Sequence, residues 1–189
     1  MMKLEDILDC MPMRPEPTKE KRLLESVHEK SGWLPFLQSL PRSGLLTPEL
    51  KTAFHMIWIE RGKFIREKLN DDEILTQLLA LCMPAYDGPG LMVFRGENEH
   101  RFNSGEIGFC WTEKREAAEI FARGLNACNG QGFLLQAYAP SEAIFSGPND
   151  HSRYLDEHEV TVNPRFLTGI QIISSYPKSH DSKLTPFFR

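Results

Sequence analysis

The run "YLDEHEVTVNP", residues 154–164, holds two carboxylates one residue apart, Glu157 and Glu159, at the head of an alternating pattern. Side chains of an extended chain alternate between faces with a period of two. On that pattern Val160 and Val162 share a face with His158, while Glu157, Glu159 and Thr161 share the other. Such a strand is either a water-facing edge or the floor of a site that needs two acids aimed the same way. A pair of carboxylates held together can raise the pKa of one member and supply a general acid or base. It can also stabilise an oxocarbenium-like cation, as the carboxylates of glycosidases do.

Two further polar features stand on strand-like segments. Arg95 closes "LMVFRG" and by alternation shares a face with Leu91 and Val93, an odd place for a charge unless something compensates it. Either it reaches past the strand end into solvent, or it clamps an anion. A guanidinium offers a planar fork of N–H donors that matches a phosphate. Gly96, next in the chain, would let the backbone turn away or let a ligand approach closely. In "GFCWT", Thr112 either caps a following helix or bonds a neighbouring carboxylate or ribose, and Trp111 most simply packs in a core. Cys110 lies in an apolar run with no basic neighbour in sequence to lower its pKa, so it reads as a small core residue rather than a nucleophile.

The elements that must position these residues divide the chain in two. Residues 1–86 read as helical. "PTKEKRLLESVHEKSG" (17–32) begins at a proline and closes at Gly32. "LTPELKTAFHMIWIERGKFIREKLN" (46–70) has Thr47 as N-cap, Pro48 in its first turn and an apolar stripe of Leu50, Phe54, Ile57, Trp58, Ile65 and Leu69, interrupted by Gly62. Asn70 or Asp71 starts a third helix that stops at Pro84. After the turn cluster "YDGPG" (86–90), strands are expected over 91–96, 106–112, 132–140, 157–164 and 169–177. A helix over 112–124 is expected, capped by Thr112 and ended by Gly124. The fold class is therefore α+β, with a helical region at 1–86 and a strand-rich core at 87–189.

Composition narrows the function classes. Hydrophobic residues at 41% and charged residues at 25% suit a soluble globular chain. A net charge of −4 supplies no global basic field for nucleic acid, although a local basic groove stays open. The cysteines, Cys10, Cys82, Cys110 and Cys128, form no CxxC pair and have no histidine at metal-ligand spacing. No zinc site or disulfide framework is expected, and a reducing compartment is the easier reading. "MMKLEDILDCMPM" carries acids within its apolar run and is not read as a secretory signal. A cytoplasmic protein with no membrane span is expected. The terminal Phe pair of "KSHDSKLTPFFR" has the apolar area to dock on the body of the protein.

In chain order, "VFRG", "GFCWT…AAEIFA" and "LDEHEVTVNP" resemble the ADP-ribosyltransferases of the R-S-E type, the arginine-specific, cholera-toxin-like branch, over roughly residues 90–175. The resemblance implies a split β-sheet core around a central NAD cleft, with NAD as co-substrate, no metal and a protein acceptor. Arg95, with Gly96 beside it, would hold the NAD pyrophosphate and neighbouring ribose. Cys110, Trp111 and Thr112 would match the Ser-Thr-Ser-like middle motif, Thr112 supporting the site with its hydroxyl. Glu159 would be the catalytic residue at the nicotinamide ribose. Glu157 would position or deprotonate the acceptor, and Tyr154 would contact it. Cys110 stands where the family has the first serine of its middle motif, and a thiol is a poorer hydrogen-bond partner than a hydroxyl. The expected function is mono-ADP-ribosyl transfer to protein arginine, by an endogenous enzyme or by a phage or toxin product acting inside a host cell. The alternatives are a weak or inactive module of that fold that binds a partner or nucleotide, and an unrelated α+β binding domain. Residues 1–86 are expected to recognise the partner or target.

Overall fold

The computed structural model describes residues 16–41 and 45–179. The expectations for the first 13 residues and for the terminal Phe pair lie outside them. Helix α1, Lys19–Glu29, starts where Thr18 accepts a hydrogen bond from the Lys21 N–H. It ends at a left-handed Ser31, so Gly32 does not stop it but heads a second helix, α2, Trp33–Ser39. That helix buries only Trp33 and Phe36, too short a pattern for periodicity to reveal. Helix α3, Pro48–Leu69, is capped by Thr47 as expected, and its Phe54, Ile57, Trp58 and Ile65 are buried. Asn70 closes it in the left-handed region and Asp71 caps α4, Asp72–Cys82, by accepting from the Glu73 and Ile74 N–H groups. Gly62 leaves α3 continuous because the Trp58 indole lies along the helix against it. A Cβ at Gly62 would sit 3.1 Å from that ring.

Six strands form one antiparallel sheet in the order β4-β5-β2-β1-β3-β6. They are β1, Leu91–Asn98, β2, Cys110–Thr112, β3, Gly132–Ala139, β4, Ile144–Ser146, β5, Glu159–Val162, and β6, Thr168–Tyr176. β1 pairs with β3 along its whole length, from Leu91↔Ala139 to Asn98↔Gly132. It meets β2 only at Phe94↔Thr112. The sheet is thus two three-stranded halves hinged at β1 and β2. On one face Val93, Trp111, Leu135, Ala137, Val160 and Val162 share a core. On the other, helix α6, Arg115–Arg123, lays Ala118 and Ala122 against Leu134.

The helical region does not stand apart. Its core takes in Phe109 and packs against Cys110 and Phe145. Further ties are Arg66 Nη1 to the Glu106 carbonyl at 3.2 Å and Ser146 Oγ to His55 Nε2 at 3.4 Å. Among the described residues no helix is long and apolar enough to cross a membrane.

Several boundaries differ from the sequence expectation. The strand expected over 106–112 forms only at Cys110–Thr112. Residues 106–108 instead serve polar partners, the Gly108 N–H donating to Glu97 and the Glu106 carbonyl accepting from Arg66 and Arg101. Thr112 does not cap α6, which begins at Arg115. Its hydroxyl accepts from the Lys114 N–H while the residue itself completes β2. Helices α5, Glu99–Asn103, and α7, Asp150–Tyr154, and strand β4 were not expected; all are too short to carry a period. β5 begins at Glu159, not Glu157, because Asp156 and His158 take left-handed backbone (φ 59° and 45°). Strand alternation therefore does not align the two glutamates on one face.

Gly96 gives its open side to α6 rather than to a turn or a ligand. A Cβ there would meet the Ala122 nitrogen at 2.4 Å and the Ala118 carbonyl oxygen at 2.7 Å. Both are helix backbone atoms that cannot yield without moving α6. Gly96→Ala is expected to destabilise the fold by about 2–3 kcal/mol or more, the scale of core overpacking, read as a lowered midpoint in urea. An unchanged midpoint would show that α6 is free to lift off β1.

Candidate functional site

Arg95 sits in mid-strand at the hinge between the sheet halves, and its guanidinium is engaged through Nε and Nη1. Nε donates to Glu97 Oε2 at 2.8 Å and Nη1 donates to the Cys110 carbonyl of the neighbouring strand. Glu97 is completely buried. It also accepts from the Gly108 N–H at 3.0 Å and the Asn98 N–H at 3.1 Å, with Arg101 Nε 3.5 Å away. Burial alone would raise the Glu97 pKa, but the Arg95 charge and hydrogen bond outweigh it and hold the carboxylate below its ordinary value. A Cβ at Gly108 would collide with the guanidinium, at 2.1 Å from Nη2. The absent side chain lets this backbone close over the ion pair.

Glu97 supplies the compensation that an inward arginine demands. It is the counter-ion two residues along the same strand, legible from the period-two spacing of "RGE" but not singled out from sequence.

Across the hinge, Cys110 and Thr112 on β2 lie opposite Thr161 and Glu159 on β5. Strand order puts β2 between Arg95 and Glu159, and the two charges act on each other across it. Burial pushes the Glu159 carboxyl up to about 7, and the nearby Glu157 adds to the rise. Cys110, Arg95 and Thr161 moderate it. The Cys110 thiol is itself pushed well above its ordinary value, by burial first and by Glu159 second, so it is no thiolate nucleophile. Glu159 Oε1, Thr161 Oγ1 and Trp58 Nε1 are the buried side-chain polar atoms without a hydrogen-bond partner among the described residues. They gather around Cys110, whose thiol interacts with both Glu159 and Trp58 and is a weak hydrogen-bond partner for either, while Thr161 interacts with Glu159.

The remaining expected site residues are placed differently. Thr112 supports the acidic run through its backbone, its hydroxyl donating to the Glu157 carbonyl at 2.6 Å. Glu157 itself is partly buried, and burial holds its pKa above the ordinary range. Tyr154, 86% exposed, ends α7 in the connection between β4 and β5. Trp111 belongs to the core that holds Val93 and Val160 and donates its indole N–H to the Gly108 carbonyl at 2.9 Å. Gly96 lies under α6. A cleft of about 490 Å³ opens between α3 and the hinge, lined by Trp58, Gly62, Arg66, Arg95, Gly108 and Cys110. Its volume falls in the range typical of small-molecule and cofactor sites. Helical spacing puts Trp58 in an apolar core stripe, and nothing in the period of the helix distinguishes it from its neighbours there.

Comparison with family models, curated proteins and solved structures returns no match.

The fully buried Glu97 and the half-buried Glu159, whose Oε1 is sealed from solvent, make opposite predictions. Glu97→Gln leaves the Arg95 charge unpaired and is expected to cost about 3 kcal/mol. Glu159→Gln removes a carboxylate that the fold ionises reluctantly. The folded state holds a proton on Glu159 from its unfolded value of 4.5 up to about 7. The ionisation penalty is therefore full above pH 7 and fades as pH falls to 4.5. Urea titrations should show the Glu159→Gln protein more stable than native by on the order of 2–3 kcal/mol at pH 8, converging near pH 4.5. An equal stability difference at both pH values would mean that Glu159 is not desolvated in the fold.

Proposed function

We propose that this chain is an NAD-dependent mono-ADP-ribosyltransferase that moves ADP-ribose onto an arginine of a protein acceptor and releases nicotinamide. The observation that carries the reading is the convergence of Arg95, Cys110 and Glu159, far apart in sequence, from three neighbouring strands at the hinge of the sheet. The chain order of the resemblance, R on the first strand, the middle motif on the second and E-x-E before the fifth, is the order in which these strands meet. An α+β chain with an antiparallel sheet joined by a single bridge fits the split core that the resemblance implies.

NAD would supply a cationic leaving group, since its nicotinamide is already positively charged and departs with the electron pair of the N-glycosidic bond. Glu159 would face the positive charge that grows on the ribose, and a preorganised carboxylate in a dry site is worth most there. A ligand bringing positive charge would also favour the ionised form of a group poised near neutrality. Glu157 would take the proton that the acceptor guanidinium loses as its nitrogen bonds the ribose C1. Arginine's very high pKa makes that help necessary. The pyrophosphate would meet the cleft's guanidinium groups, Arg95 and Arg66, although Arg95 is already bound to Glu97 and the Cys110 carbonyl.

That prior engagement, with a thiol in place of the first hydroxyl, favours a second reading: a weak or silent module of the same fold that binds a nucleotide or partner. The experiment that separates them is nicotinamide release from NAD, with and without a cell extract as source of acceptor. The first reading expects release that falls at least about a hundredfold in Glu159→Gln, on the scale of losing a transition-state charge contact. It also expects release to rise as pH climbs through about 7 with Glu159 ionisation. Binding of NAD without release in any extract would select the second reading.

A further inference from the structure

The chain has three tryptophans, at positions 33, 58 and 111. Two are satisfied as buried indoles usually are. Trp33 Nε1 bonds His28 Nδ1 at 3.3 Å, and Trp111 Nε1 bonds the Gly108 carbonyl at 2.9 Å. Trp58 is 2% exposed, yet its Nε1–H has no nitrogen or oxygen partner among the described residues, only the weakly accepting Cys110 sulfur beside it. The ring lines the cleft between α3 and the hinge and lies beside the Cys110 thiol. It is also held rigidly, its face against Gly62 one turn on in α3 and its edge against Phe109, with centroids 6.5 Å apart at 87°. A buried donor that is locked in place in a cavity wall, with only a thiol beside it, is costly to bury. It is explained if the partner arrives with a ligand.

Resting on the proposed activity, we infer that Trp58 is a co-substrate-binding residue whose indole N–H donates to an oxygen of the nicotinamide-riboside half of NAD. The half is chosen by position. Cys110 is the residue that both Trp58 and Glu159 approach, and Glu159 is the group assigned to the nicotinamide ribose. The ligand atom must be an acceptor, because an indole can only donate. On this inference the helical region is part of the co-substrate site, and Gly62 is there to give the indole room along α3.

The test uses the full chain labelled with ¹⁵N. The Trp58 indole N–H signal is identified by its proximity to the Gly62 Hα and by its loss in Trp58→Phe, which keeps an aromatic ring and removes only the donor-bearing part. Titration with NAD should move the Trp58 signal downfield and leave those of Trp33 and Trp111 near their free positions. ADP, which lacks the nicotinamide-riboside half, should not move the Trp58 signal. Trp58→Phe should bind NAD about tenfold more weakly, the scale of one buried hydrogen bond, and bind ADP as the native chain does. NAD binding that leaves the Trp58 signal in place, or equal loss of NAD and ADP affinity, overturns the inference while the proposed activity stands. If the native chain neither binds NAD nor releases nicotinamide, the parent reading fails and this one with it. Should Trp58→Phe not fold, the signal of the native chain decides the matter alone.

Discussion

Everything at the centre of this protein is arranged around one buried ion pair, Arg95 with Glu97. A charge on the inner face of a strand is untenable without a counter-charge and hydrogen bonds for the remaining N–H and oxygen positions. Glu97 supplies the counter-charge, and the pair then recruits backbone. Gly108 donates to Glu97 and the Cys110 carbonyl accepts from Arg95. The segment leading into β2 is thereby fastened to β1 by side chains where the two strands exchange almost no ladder bonds. The hinge of the sheet is electrostatic where an ordinary sheet would be hydrogen-bonded along the backbone.

That substitution has a functional consequence. A continuous ladder between β1 and β2 would close the space at the strand ends, whereas side-chain fastening leaves room for a cleft with α3 as its other wall. The same hinge brings β5 within electrostatic reach of β1 by interposing a single short strand. Glu159 then experiences opposed influences, burial and Glu157 that disfavour its charge and Cys110, Arg95 and Thr161 that favour it, and burial dominates. A carboxyl balanced near neutrality is a group whose ionisation a ligand can decide. Cys110, in the middle, contributes its carbonyl to the arginine and its thiol to the neighbourhood of the glutamate, so backbone and side chain of one residue serve opposite sides of the site.

The helical region contributes a wall rather than a separate body. Its apolar core runs without interruption into Phe109, and Trp58 and Arg66 face the hinge directly. Arg66 is bound to both Asp72 oxygens at 2.8 and 2.6 Å and stacks over Phe109. The wall is as firmly organised as the sheet. Target recognition by this region, as expected from its separate sequence character, and participation in the cleft are compatible roles for different faces of the same helices.

Much of this was written locally. Thr47, Pro48 and Asp71 mark helix ends through bonds to their own neighbours, so their meaning survives outside the fold. The alternation of Val160 and Val162 and the inward charge at Arg95 are likewise local, and both were legible together with the α+β class. Other features required the tertiary structure because their partners are distant in the chain. Gly96 reads as ligand-facing until α6 is seen lying on it, and Thr112 reads as a helix cap until its hydroxyl is found on the Glu157 carbonyl. The left-handed turn at His158 broke the alternation that seemed to align Glu157 with Glu159, since a single backbone torsion can reverse a face assignment that periodicity takes for granted. Trp58 is the plainest case. Its place on an apolar stripe follows from helical spacing, but that its N–H meets only a thiol at the wall of a cleft depends on Arg95, Gly108 and Cys110, distant in the chain, and no local pattern encodes it.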